Sequence, residues 1–164
     1  MRLLILSLLL VIEIIIESTV FPFIKIGGGF PNLVLITIIS FGLIYGKKEG
    51  IFLGLIGGLF SDILFGTVVG LYALPYMIIG YIMGIFNERV FKENKIIPFI
   101  FTIMGTLFFQ GLFYLIQYLR GAGALYIGQI KSIATISLIL NSIIIVIIYP
   151  YFLKLSNWHV IKEK

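Results

Sequence analysis

The chain has 164 residues, of which 60% are hydrophobic and only 12% are charged, and its mean hydropathy of +1.17 excludes a soluble globular domain. The absence of cysteine excludes a disulfide framework and a thiolate metal site. We attribute the net charge of +5 to lysine-rich loops beside a membrane, not to nucleic-acid binding.

Six apolar segments follow one another, separated by charged residues or by clusters of glycine and proline. They cover residues 3–24, 31–45, 50–65, 71–86, 96–119 and 132–153. The first is not typical of a removable signal peptide, because Glu13 and Glu17 interrupt it and no small-x-small cleavage site follows. We therefore predict an all-α polytopic integral membrane protein with about six transmembrane helices, in which residues 1–164 form a single transmembrane domain.

The basic residues are distributed unevenly between the two sides that these segments define. Nine of them lie on the side that holds both termini, and three lie on the other side, namely Lys25, Arg120 and Lys131. Because cytoplasmic loops of membrane proteins are enriched in lysine and arginine, both termini are predicted to be cytoplasmic.

Small residues recur at every fourth position of the third segment. Gly50, Gly54, Gly58, Asp62 and Gly66 share one helical stripe. Such a stripe allows close approach of a second helix in lipid, and a carboxyl group on it must face protein or water. Two hypotheses follow: the stripe packs against another helix of this chain, or it seats the helix of a partner protein.

Other polar side chains are predicted to lie at a similar depth of the membrane. The candidate buried polar network consists of Glu13, Glu17, Asp62, Gln110, Gln117 and Asn141. Glu13 and Glu17 are one helical turn apart, so we expect them to face a shared partner such as Arg120 or Lys25. A proton or cation path through the three acids is an open alternative.

Catalytic and metal-binding patterns are not found in the sequence. His159 is the single histidine, and no serine has a histidine at membrane depth as a partner. We predict no catalytic residue, no cofactor and no metal.

The block from Phe30 to Phe86 resembles the family of the rod shape-determining protein MreD. The matching features, in order, are Pro31 with Asn32, Gly50, the Gly58-x-x-x-Asp62 motif, Gly70 and Gly80. The resemblance covers about a third of the chain, and the number of segments and the basic loops agree with it.

This resemblance implies a non-enzymatic scaffold of the cell-wall elongation machinery in the bacterial inner membrane. It implies direct association with MreC and, within the same complex, with MreB, RodA and a class B penicillin-binding protein. It also implies a fold similar to the substrate-binding subunits of energy-coupling-factor vitamin transporters. The oligomeric state stays open, with a homodimer as one alternative.

The shared fold makes a small-molecule transporter subunit the alternative function. Such a subunit needs a pocket lined by convergent polar and aromatic groups. Residues 120–131 would be its lid. Against this function, the first segment lacks the small-xxx-small stripe with which such subunits commonly dock.

Overall fold

A computed structural model describes residues 2–23, 29–66, 68–87, 96–121 and 123–157, with the backbone alone for 123–133. Within these ranges the chain forms six α-helices and one short 3-10 turn, Phe21–Phe23. The helices are α1 Arg2–Thr19, α2 Leu33–Tyr45, α3 Lys47–Phe65, α4 Ala73–Ile85, α5 Ile96–Leu119 and α6 Gly123–Ser156. Lys25, Trp158 and His159 lie outside the described residues.

The predicted segments agree with these helices to within two residues except at four ends. The first helix ends at Thr19, five residues before the predicted end, and the sixth ends at Ser156, three residues after it. The third helix begins at Lys47, so the lysines assigned to a loop belong to its first turn. The sixth begins at Gly123, nine residues earlier than predicted at 132, so most of the expected lid at residues 120–131 is helical. The glycines of this segment misled the prediction, because glycine is usually a helix breaker.

The helices fall into two length classes. Stretches long and apolar enough to cross a membrane are found at Arg2–Phe23, Ile96–Leu119 and Ala134–Ser156. The apolar helices α2 and α4 have 13 residues each, which corresponds to about 20 Å. Together the helices define an all-α polytopic membrane protein.

Helix α2 is the centre of the fold. Its residues from Val34 to Ile44 are all buried, as expected of a helix that is hydrophobic all round. The other helices surround it in the order α1, α3, α4, α5, α6, and each contacts the next. Among the described residues α1 and α6 do not contact each other, and we call the space between them the α1–α6 opening.

A single residue connects α2 to α3. Gly46 ends α2 and begins α3 with a φ of +106°, a conformation that glycine adopts without steric strain. Its N–H donates to the Gly42 carbonyl oxygen at 2.9 Å. The resulting sharp reversal sets α3 beside α2 and directs its glycine stripe toward α4.

Candidate functional site

The glycine stripe of α3 lies against the backbone of α4. A Cβ atom on Gly50 would lie 2.2 Å from the Gly80 carbonyl oxygen, and one on Gly80 would lie 2.1 Å from the Gly50 oxygen. Further along, a Cβ on Gly54 would lie 2.5 Å from the Tyr76 oxygen, and one on Gly58 would lie 2.2 Å from the Cα of Ala73. Because these distances leave no room for a methyl group, the two backbones touch along three turns of α3. This geometry favours the first hypothesis, internal packing, because α4 already occupies the stripe.

Gly66, which ends the predicted stripe, and Gly70, which follows it, have a different role from the stripe glycines that contact α4. Gly66 ends α3, with its N–H donating to the Asp62 carbonyl oxygen at 3.0 Å. Gly70 has a φ of +102°, and the space that a Cβ would occupy there is open. These two residues therefore shape the turn into α4 and do not extend the helix contact.

The carboxyl group of Asp62 binds the N-terminal end of α4. It accepts hydrogen bonds from the main-chain N–H groups of Gly70 at 2.7 Å, Tyr72 at 2.7 Å and Ala73 at 3.2 Å. The first N–H groups of a helix have no partner within it and carry a partial positive charge. Asp62 is 4% exposed, so its carboxyl group supplies these partners where water does not reach.

Glu17 has the corresponding role at the N-terminal end of α2. Its Oε1 accepts hydrogen bonds from the N–H groups of Leu33 and Val34, the latter at 3.1 Å. Asn32 completes the cap, because its Oδ1 accepts from the Leu35 N–H at 2.8 Å. Pro31, directly before it, is buried.

Among the described residues Glu13 and Glu17 bind separate groups, while Lys25, one of the two basic partners expected for them, lies outside these residues. Glu13 accepts a hydrogen bond from the Thr37 hydroxyl at 2.6 Å, and Glu17 binds main-chain groups. Arg120 donates to the Gln117 side chain at 2.8 Å. Hydroxyl and main-chain donors pair with an acid at membrane depth without burying a second charge, which is costly there.

A polar junction joins five helices where α2 begins. We define it as Glu17, Asn32, Tyr76, Thr106 and Asn141. Asn141 accepts from the Asn32 N–H at 2.8 Å and donates to the Thr106 hydroxyl at 3.2 Å. The Asn32 amide donates to the Tyr76 hydroxyl at 2.7 Å. The junction fixes the relative positions of α1, α2, α4, α5 and α6, since each contributes a residue or accepts a bond from one.

The predicted polar network is therefore only partly one network. The structure brings Glu17 and Asn141 together through the two adjacent N–H groups of Asn32 and Leu33. Asp62 has its own site at α4. Gln110 donates to the Ala134 carbonyl oxygen at 3.1 Å. Glu13 binds Thr37 and Gln117 binds Arg120, and both contacts are separate from the junction.

The sequence analysis missed Tyr76, Thr37 and Thr106 as members of polar contacts. Each is a hydroxyl residue within an otherwise apolar helix, and this was the available signal. Tyr76 is 1% exposed, and its ring lies 5.0 Å from that of Phe109. Its hydroxyl is the only polar atom of a side chain that otherwise packs with aromatic neighbours.

The arrangement defines a class of protein. It is an α-helical membrane protein whose buried polar groups fix helix ends and helix contacts, and the described residues contain no group of three or more His, Cys, Asp or Glu that could hold a metal ion. The chain belongs to the MreD family, because the family model described as rod shape-determining protein MreD matches residues 1–158. Its role is therefore in determining cell shape. No curated protein and no solved structure matches the chain.

Proposed function

We propose that this chain is a non-enzymatic, multi-pass adaptor of the bacterial inner membrane, with both termini in the cytoplasm, that binds MreC directly. MreB, RodA and a class B penicillin-binding protein belong to the same assembly. The family match carries the proposal, since it covers almost the whole chain.

The short connections between α2, α3 and α4 support an adaptor that works within the bilayer. A single residue joins α2 to α3, and seven residues, 66–72, separate α3 from α4. With so little chain outside these helices, a partner is met chiefly inside or beside the membrane. Contacts there depend on close packing and polar pairing, because lipid provides no hydrophobic drive between helices.

The interior supports a fixed shape. The α3–α4 backbone contact and the two carboxyl groups at helix N-termini leave little freedom for the helices to slide. A scaffold needs such a fixed outer surface. If its binding site became ordered only when the partner bound, the entropy cost of that ordering would lower the affinity.

Co-purification from membranes tests the proposal. The chain, tagged at its C-terminus, is co-expressed with MreC of the same organism and extracted in mild detergent. We expect MreC to be recovered in a defined ratio, and a single-span membrane protein of unrelated sequence serves as the control. Failure to recover MreC with a folded, inserted chain would contradict the proposal.

A ligand screen separates the adaptor from the transporter alternative. A tight ligand raises the apparent stability of the protein that binds it. We expect no vitamin to raise the unfolding temperature of the purified chain, and a reproducible rise with one vitamin would favour the alternative.

A further inference from the structure

The α1–α6 opening is bordered by one stripe of the central helix. Thr37, Phe41 and Tyr45 are four residues apart and share a face of α2. Glu13 of α1 accepts the Thr37 hydrogen bond, and the Arg2 guanidinium lies 4.7 Å from the centre of the Tyr45 ring. From the other side, the Phe152 ring of α6 lies 4.9 Å from that of Phe41. Side chains of α1 and of α6 thus both contact this stripe, although the two helices do not contact each other.

Three polar atoms beside this stripe have no hydrogen-bond partner. They are Glu13 Oε2, the Tyr45 hydroxyl oxygen and Arg2 Nε, and all three are enclosed. Glu13 lies within the apolar helix α1, where a polar atom without a partner is costly, so its free oxygen indicates a donor that the described residues do not supply. Glu13 as a whole is only partly buried, so part of this residue stays exposed beside the stripe.

Both helices that border the opening expose apolar side chains. Ile12 of α1 is 50% exposed, and Ile147 and Tyr151 of α6 are 58% and 68% exposed. Both helices contain stretches long enough to cross a membrane, so a third helix laid between them contacts protein along its length. A lipid acyl chain would fill the same space but would bring no hydrogen-bond donor to Glu13.

We propose that the α1–α6 opening seats one membrane-spanning helix of a partner protein, and that this helix presents a hydroxyl or amide side chain to Glu13. Hydroxyl and amide groups both donate and accept, so they pair with the carboxyl group in either protonation state. The inference rests on the proposed function, in which the partner is MreC, and adds to it the place and the chemistry of the contact.

Cysteine crosslinking tests the place, and the chain itself contains no cysteine. Single cysteines replace Ile12, Ile147 or Tyr151 on the two helices that border the opening. Ile63 of α3 and Met104 of α5, which are 72% and 58% exposed on helices that do not border it, serve as controls. Each is co-expressed with MreC carrying single cysteines through its membrane helix, and disulfides are formed by oxidation in native membranes. We expect crosslinks from the opening, recurring every three to four residues on the MreC helix, and none from the controls.

The variants Glu13→Leu and Glu13→Gln test the chemistry. Loss of one hydrogen bond between membrane helices predicts about three- to tenfold less MreC recovered with Glu13→Leu. Glu13→Gln is expected to retain most of the binding, because its amide still pairs with a hydroxyl or amide group. Retention of full binding by Glu13→Leu would refute the donor, and an unfolding temperature equal to that of the parent chain shows that a loss is not due to misfolding.

The two proposals fail in different ways. If MreC co-purifies but its helix crosslinks to Ile63→Cys or Met104→Cys, or to no position at the opening, the proposed binding place of the helix is wrong and the adaptor function stands. If MreC does not co-purify with the parent chain, the adaptor function itself is wrong.

Discussion

Glu17 and Asp62 occupy equivalent positions in two successive helix pairs. Glu17 lies near the end of α1 and accepts N–H groups from the start of α2, and Asp62 lies near the end of α3 and accepts N–H groups from the start of α4. In each pair the first helix supplies a carboxyl group to the exposed N–H groups of the second. The two short helices α2 and α4 are thereby held at their N-terminal ends, where lipid offers no hydrogen bond.

The Asp62 carboxyl group is expected to stabilise the fold measurably. Asp62→Ala removes the acceptor of three N–H groups and is expected to lower the free energy of unfolding by about 2–3 kcal/mol. Asp62→Asn keeps one acceptor oxygen and is expected to lose about half as much. Unfolding of the purified variants in detergent measures both. An unchanged stability of Asp62→Ala would show that the cap is not needed.

The α3–α4 contact predicts a sharp difference between two glycine-to-alanine variants. Gly50→Ala places a methyl group against the Gly80 backbone, which cannot rotate away, and is expected to cost about 1–3 kcal/mol. Gly111→Ala in α5 is the matched control, because nothing lies within 4 Å of the added atom. It is expected to be neutral or slightly stabilising, since alanine favours helix over glycine by up to about 1 kcal/mol. Equal unfolding temperatures for the two variants would contradict the contact.

The pairing of Asn32 with Tyr76 predicts a coupling energy between them. Asn32→Ala loses the cap of α2 and is expected to cost about 1–2 kcal/mol, whereas Tyr76→Phe removes only a hydroxyl and is expected to cost about 0.5–1.5 kcal/mol. Because the two side chains are in contact, the double variant should be more stable than the sum of the single effects predicts, by at least about 0.5 kcal/mol. Strict additivity would show that the hydrogen bond between them contributes nothing.

The proposed orientation in the membrane predicts which loops are labelled from each side. Lys48 at the start of α3 and Val69 between α3 and α4 are both exposed. Single cysteines at these positions are treated with a membrane-impermeant maleimide. We expect Val69→Cys to react in intact spheroplasts and Lys48→Cys to react only after lysis. The reverse pattern would invert the topology.

The glycine spacing predicted the contact face of α3 but not what lies against it. A step of four residues places side chains on one stripe of any helix, so the face follows from the sequence. The helix that packs against this face does not follow from the sequence, because glycines four residues apart occur both at the end of α2, Gly42 with Gly46, and in α4, Gly80 with Gly84. The sharp turn at Gly46 decides between the possible pairings, and its geometry depends on the tertiary structure.

The partners of the acids could not be predicted for a different reason. Depth in the membrane follows from position along a helix, and this indicated that Glu17 and Asn141 lie in one layer. The donors to Glu17 and Asp62 are main-chain N–H groups, which every residue except proline carries and no residue type marks. Only the fold shows which helix ends lie within reach of a carboxyl group.

Lipid accessibility along the end of α3 tests the central claim most directly, namely that this helix turns its glycine and carboxyl face inward. Spin labels are attached to single cysteines replacing Phe60, Ser61, Ile63 or Leu64 in nanodiscs, with Asp62 left in place. Collision with oxygen should be frequent at 60, 63 and 64, which are exposed, and rare at 61, which is 1% exposed. A label at 61 that meets oxygen as often as the label at 63 would contradict the account.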